Sequence, residues 1–318
     1  KYVVDNLNWV IFKAQIELAR EEGLLKDTID VIVDNSDTWY YGKDRFPENP
    51  YITKGYNGPG TSRKRKYLGI MLKSGTTYLY CGVDIIKKGH SNVPVILETC
   101  DKLLKIGFSI RYLIGDRWFP TMELLLELPS RNIDYIGPYK KYAPVKREIE
   151  DYLQNGGDYI RSYTINGAPS KYYKQSVHVY MIFINRQGRR LREIRKDYLN
   201  GTVSLSDSIK EIMPFITTQP PPKSKKAKQG WRLHICSIYD HRWQIETGFK
   251  DLNRITPSSN AHTNECKFLM TSARYWVYNC WQIERARRKK IRTKIKSWKK
   301  GPTLRRFTYC VQRIEYCV

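Results

Sequence analysis

Apolar positions come in short blocks whose spacing changes along the chain. Over residues 5–23, Leu7, Val10, Ile11, Ala14, Ile16 and Leu18 recur near the helical period, and Gly23 can close the helix. Ile29, Val31, Ile32 and Val33 then form a β-branched run ending at Asp34. A continuous apolar run of this kind predicts a strand buried on both faces. Residues 66–73 and 76–86 predict two strands around the turn Ser74-Gly75. Residues 92–107 predict a helix, 108–115 a strand ending at Asp116, 121–128 a helix and 133–137 a strand. The order β-β-β-α-β-α-β is a mixed α/β layout.

Residues 140–230 differ in texture. They are rich in Tyr, carry Gly156-Gly157, a strong strand pattern at 177–184 and a basic stretch at 186–196, and end in the Pro/Lys run Gln219–Gly230. Such a run cannot pack a core and predicts an extended, solvated connector. The whole segment reads as a β-rich insertion. Helices are predicted over 237–254 and 265–290, and Arg285–Lys300 is dense in Lys and Arg. The chain therefore divides into an N-terminal helix (1–26), a first α/β part (27–139), the insertion and connector (140–230), a second part (231–284) and a basic tail (285–318). No internal repeat is visible.

Charge narrows the class of partner. The chain has 318 residues, with 56 Lys plus Arg against 31 Asp plus Glu, a net of +25. Residues 1–216 hold 33 basic and 25 acidic side chains, and residues 217–318 hold 23 and 6. A basic third of this kind favours a polyanion, because neutralising phosphates releases counterions. The 24 Tyr, 9 Phe and 8 Trp add stacking surface of the kind nucleic-acid binders use. No run approaches the roughly 20 apolar residues of a membrane helix. Seven cysteines, none in a CxxC pair, argue against a disulfide framework. No signal-peptide pattern opens the chain, and its start at Lys1 without Met predicts residues upstream.

Two carboxylates stand out, Asp34 and Asp116, each predicted at the C-terminal end of a buried strand. Ligands gather beyond such strand ends in open α/β sheets, although Asp also ends strands simply as a turn former. A third comes from the helix predicted over 237–254. At 100° per residue, Tyr239, Arg242, Glu246, Lys250 and Asn253 fall within about 80° of arc, beside an apolar stripe of Ile238, Ile245, Phe249 and Leu252. Glu246 can thus face a cleft with Arg242 one turn away; the alternative is a surface helix with a Glu–Lys pair. Asp37 is a second choice for the first acidic position, and Asp84 reads as a turn residue. His234, Cys236, His241, His262 and Cys266 match no standard zinc spacing. Trp118 either stacks on an unpaired base or packs in the core.

The stretches DVIVDNSD, with Tyr40-Tyr41-Gly42 following, and LIGDRWFPTMELL resemble the first two acidic motifs of insertion-sequence DDE transposases. YDHRWQIETGFK resembles the Tyr-x2-Arg-x3-Glu motif of insertion-sequence family four, and the resemblance spans most of residues 27–290. It implies a ribonuclease-H-like catalytic core: a mixed sheet flanked by helices, with a β-rich insertion before the last catalytic helix. Asp34, Asp116 and Glu246 would be the catalytic triad holding two Mg²⁺ ions, with Mn²⁺ able to substitute. Tyr239, Arg242, Lys250, Arg254, Trp118, Arg287, Arg288, Lys289 and Lys290 would contact DNA. The implied activity is metal-dependent cleavage at transposon ends and strand transfer into target DNA, in a self-associated synaptic complex, in the cytoplasm or nucleoid of a prokaryotic host.

The sequence departs from the family in two places. The family motif has Lys or Arg seven positions after the Glu, where Asn253 stands, leaving Lys250 or Arg254 for that role. The DNA-binding portion expected before residue 27 is short or absent. Both motivate an alternative, a transposase-derived DNA-binding protein without catalysis.

Overall fold

The computed structural model describes residues 2–43, 48–58, 60–167, 175–185, 187–255 and 263–292. In chain order the first elements are α1 (Tyr2–Glu21), β1 (Thr28–Trp39), β2 (Ile52–Gly58), β3 (Thr61–Ser74), β4 (Thr77–Ile85), α2 (Val93–Lys105), β5 (Ser109–Gly115), α3 (Met122–Glu127) and β6 (Asp134–Pro138). There follow α4 (Ala143–Asn155), β7 (Ile160–Asn166), β8 (Ser176–Asn185), α5 (Leu191–Leu199), α6 (Leu205–Glu211), β9 (Ile212–Thr217), α7 (Lys225–Asp240), α8 (Trp243–Leu252) and α9 (Asn264–Arg292). The fold is mixed α/β, in two compact units: Lys1–Ile110 with Trp243–Val318, and Arg111–Arg242. Among the described residues no helix is long and apolar enough to cross a membrane.

In the first unit β3 is the organising strand. Its residues Lys64–Lys73 pair antiparallel with β1, while β2 takes the first part of its other edge and β4 the second. Gly75, at φ +57°, makes the tight turn from β3 to β4, a conformation that costs glycine nothing. Residues 29–33 of β1 are all buried, as a strand covered on both faces requires. Asp30 is buried among them because Lys73, its direct cross-strand partner, meets its carboxylate at 3.3 Å. Helices α1 and α9 pack against β4 and against each other. Their contact centres on Asn279 of α9, whose amide accepts from Tyr80 N and donates to Tyr80 O, both at 2.8 Å, and donates to Gln15 of α1 at 3.0 Å.

The second unit holds strands in the order β5-β6-β9-β8-β7, parallel between β5 and β6 and antiparallel elsewhere. A core of Val145, Ile149, Tyr152 and Leu153 from α4 packs with Met181 and Phe183 of β8 and Leu191 and Ile194 of α5. Thr121 caps α3, its hydroxyl accepting from Leu124 N.

Four expectations need correction. β1 does not stop at Asp34 but pairs with β3 as far as Trp39 opposite Lys64, so Asp34 marks where full burial ends, not where the strand ends. The helix expected over 237–254 is two helices, α7 and α8, interrupted at His241 and Arg242. The Pro/Lys run is extended only to Ser224, which caps α7 through its hydroxyl, so Lys225–Gly230 are helical. Residues 140–230 hold β7, β8 and β9 but also α4, α5, α6 and the start of α7. The strand β2 was not foreseen. The basic tail beyond residue 292 and His262 lie outside the described residues.

Candidate functional site

Asp34 and Glu246 belong to the first unit. Asp34 lies opposite Gly69 of β3 and is half-buried, its Oδ1 accepting from Asn35 N at 2.8 Å. Helix α8 packs on β1. Its Phe249, three residues beyond Glu246 and so on the same helix face, stands on Gly69. A Cβ at Gly69 would lie 2.7 Å from the Phe249 ring. The helix contributes its own glycine to the approach: a Cβ at Gly248 would lie 3.2 Å from Met71 Cε and closer still to the Tyr80 hydroxyl. Tyr80 also donates to Ile245 O at 3.4 Å. Its hydroxyl is held far above the usual tyrosine range, first by burial and then by the neighbouring Tyr275, Tyr278 and Asp34. It therefore serves as a neutral donor. The site thus rests on Gly69, Gly248, Tyr80 and Phe249; the sequence places Phe249 on the apolar stripe beside Glu246, but two glycines with ordinary spacing and a core tyrosine give no pattern to read.

Asp116, Tyr239 and Arg242 belong to the second unit. Asp116 follows directly on β5, as expected, and its Oδ1 accepts from Arg117 N at 2.7 Å. The Tyr135 hydroxyl donates to the carbonyls of Gly115 and Asp116 at 3.3 and 3.4 Å, fixing the strand end. Burial, chiefly, and then Tyr239 and Asp116 push that hydroxyl well up, with Arg242 opposing. Tyr239 is buried, edge-on to Phe215 at 4.7 Å, and the Arg242 guanidinium lies 5.3 Å from its ring centre. Tyr239 therefore packs beside Arg242. The helix expected to carry Tyr239, Arg242 and Glu246 is interrupted at His241 and Arg242, so Tyr239 belongs to α7 and Glu246 to α8. The Tyr and Arg of the third motif accompany Asp116, while its Glu accompanies Asp34.

Trp118 is not a core residue. It is 62% exposed, with Lys140 Nζ 3.6 Å above its ring and the exposed Tyr142 nearby. Lys250 is exposed, its Nζ 4.9 Å from the Trp243 ring centre, and Arg254 pairs with Asp251 at 3.2 Å. Asn253 begins the single 3₁₀ turn after α8. Arg287 pairs with Glu22, the residue after α1, Lys290 donates to Glu22 O, Arg288 pairs with Glu284, and Lys289 is exposed. Asp37 is bound to Lys64 at 3.0 Å. Among the described residues no group of three or more His, Cys, Asp or Glu side chains is placed to hold a metal ion.

A family model described as the transposase DDE domain matches residues 32–265, a span that contains Asp34, Asp116 and Glu246. The chain belongs to the transposase DDE domain family. Among solved structures, this chain is similar to a cryo-EM structure of piggyBac transposase in a synaptic complex with hairpin DNA. The identity is 14% and the TM-score 0.49, over 90% of this chain and 51% of that one, so this chain spans about half that protein's length. No curated protein matches it.

Proposed function

We propose that this chain is the catalytic part of a DDE transposase of the insertion-sequence family four type, cutting DNA at element ends and joining the freed ends to target DNA. Asp34, Asp116 and Glu246 form the proposed triad on a ribonuclease-H-like core. The observation that carries the reading is the seating of α8: Phe249 on Gly69 sets the helix bearing Glu246 at the register of Asp34.

The donors fit Mg²⁺ or Mn²⁺. All three are carboxylates, hard oxygen ligands, and no thiol or imidazole belongs to the set. Two bound ions would stabilise the attacking and leaving oxygens of an in-line displacement at phosphorus. The protein's own part is positional. Rigid strand and helix backbone holds the carboxylates. Arg242, oriented by Tyr239, offers positive charge to the scissile phosphate. The net charge of +25 draws in the polyanion, and joining two ends calls for at least two subunits in a synaptic complex.

Asn253, standing where the family has a basic residue, favours a second reading in which the chain binds DNA without cutting it. Both meet one experiment: cleavage of DNA bearing the element's terminal sequences, intact and pre-nicked, with Mg²⁺ and Mn²⁺. The catalytic reading expects cleavage by the wild type, abolished in Asp34→Asn, Asp116→Asn and Glu246→Gln with DNA affinity retained. Unimpaired cleavage by any of the three removes that residue from the triad. A wild type that binds but never cuts supports the second reading.

A further inference from the structure

Beyond Asp34 the polar half of β1 runs five residues to Trp39, about 17 Å at about 3.3 Å per residue. There the chain runs on beside the start of β3 and is strapped to it. Tyr40 N donates to Arg63 O at 2.9 Å, Thr61 Oγ1 to Tyr40 O at 2.8 Å, and Arg63 Nη1 to the carbonyls of Gly42 and Lys43 at 2.8 and 3.1 Å. The Tyr40 ring is buried beneath the Arg65 guanidinium, 4.4 Å from its centre, and lies so close under Gly42 that a Cβ there would overlap it. This packing turns Tyr41 outward, where it is 67% exposed.

Tyr41, Lys43 and Arg63 line an open cleft of about 500 Å³, floored by Gly60, Thr61 and Ser62. Lys64 lies beside it with its ammonium over the Trp39 ring at 4.7 Å. An exposed aromatic face, two cations and a hydroxyl-bearing floor are the complement of a nucleotide, which offers a base to stack and a phosphate to pair. The bonds from Thr61 and Arg63 fix the backbone that carries Tyr41 and Lys43, which lowers the ordering cost of binding.

We propose that this cleft takes an unpaired nucleotide of the DNA substrate, with its base on Tyr41 and its phosphate against Lys43 and Arg63. The inference rests on DNA being the substrate but not on the chemistry at Asp34. At a rise of about 3.4 Å per nucleotide, the 17 Å between Asp34 and Trp39 corresponds to about five steps along a strand.

Fluorescence anisotropy on the full chain, in EDTA so that nothing is cut, tests it. A labelled duplex with a short single-stranded overhang is compared with the blunt duplex. The wild type should prefer the overhang, and Tyr41→Ala should erase that preference by about 5- to 100-fold, the scale of one lost stacking partner. Blunt-duplex affinity should stay within about twofold of wild type, a margin reserved for surface changes. Tyr41→Phe should keep the preference, and Lys43→Gln should weaken overhang binding and shallow its salt dependence. Asp34→Asn, made in parallel, should lose cleavage and keep the preference. A preference that survives Tyr41→Ala, or an equal loss on both DNAs, overturns the nucleotide cleft and leaves the transposase reading intact. A wild type with no affinity for either DNA overturns both.

Discussion

Phe249 stands on Gly69, with its ring occupying the space that any larger residue's Cβ would need. The carboxylate-bearing helix α8 can approach the strand pair β1–β3 this closely only because β3 lacks a side chain opposite Asp34. Gly69→Ala should push the ring away, costing about 1–3 kcal/mol of overpacking. Denaturant unfolding should register that loss, and DNA cleavage should fall further than stability does, because Glu246 moves with Phe249. Phe249→Leu in the Gly69→Ala background should recover part of the stability. A Gly69→Ala protein with wild-type unfolding and cleavage would show that the approach has slack.

Asn279 joins α9, β4 and α1 through three fully buried hydrogen bonds. Asn279→Leu leaves the Tyr80 N–H and C=O and the Gln15 amide oxygen short of partners, at about 1–3 kcal/mol for each group left unpaired. The variant should unfold several degrees lower by calorimetry, and hydrogen exchange at Tyr80 should accelerate before the rest of β4. Unchanged protection at Tyr80 would mean that the strand pairing alone holds this edge.

How far the sequence reveals this arrangement depends on what signal each element leaves. Strands β1, β3, β4, β5 and β6 announce themselves because their apolar runs are buried. The polar end of β1 does not, since residues 34–39 pair with the basic start of β3 and hydrophobicity reports burial rather than pairing. Strand β2 is hidden for a related reason. Its Gly55 supports the Lys64 side chain in place of an apolar neighbour, and its register against β3 shifts between Lys54 and Gly58. The break between α7 and α8 has no Gly or Pro to mark it. Both halves keep helical periodicity, so a helical wheel runs straight through His241 and Arg242. Asp34 and Asp116 draw notice in the sequence because each follows a buried apolar run, and Glu246 because of its place on a helical wheel. Phe249 shows only as one member of an apolar stripe, and Gly69, Gly248 and Tyr80 leave no mark, because each looks like ordinary core.

Trp118 is exposed beside Asp116 with Lys140 over its ring. Trp118→Ala should leave thermal stability within about 0.5 kcal/mol, as for other surface changes. It should weaken binding of DNA with unpaired ends by about fivefold or more, as loss of a stacked base does. Equal binding by the variant would reduce Trp118 to a surface cover for Lys140.

Glu22 and Arg287 tie the end of α1 to α9, and the bond from Arg287 holds the Glu22 carboxyl below its ordinary range. A carboxyl depressed in the folded state adds stability above its unfolded pKa, and that stability disappears as pH falls through the lower folded value. Between pH 6 and the acid limb, starting near the ordinary value of 4.5, the wild type should therefore lose more stability than Glu22→Gln. Because the pair is partly exposed, the difference should shrink in high salt. Parallel pH curves for the two proteins would show that the tie contributes nothing measurable.

The buried pair Asp30–Lys73 bears on fidelity as well as stability. The two residues face one another across β1 and β3, four rungs along the same ladder from the Asp34–Gly69 pair. Sliding either strand by one or two places would strand two charges in an apolar interior, a penalty of several kcal/mol. Misaligned pairings of β1 with β3 are thus penalised, and the acidic side chain and the gap across from it come into register together. Neutralising both members, as in Asp30→Leu with Lys73→Met, would remove that check even if the double variant proved no less stable.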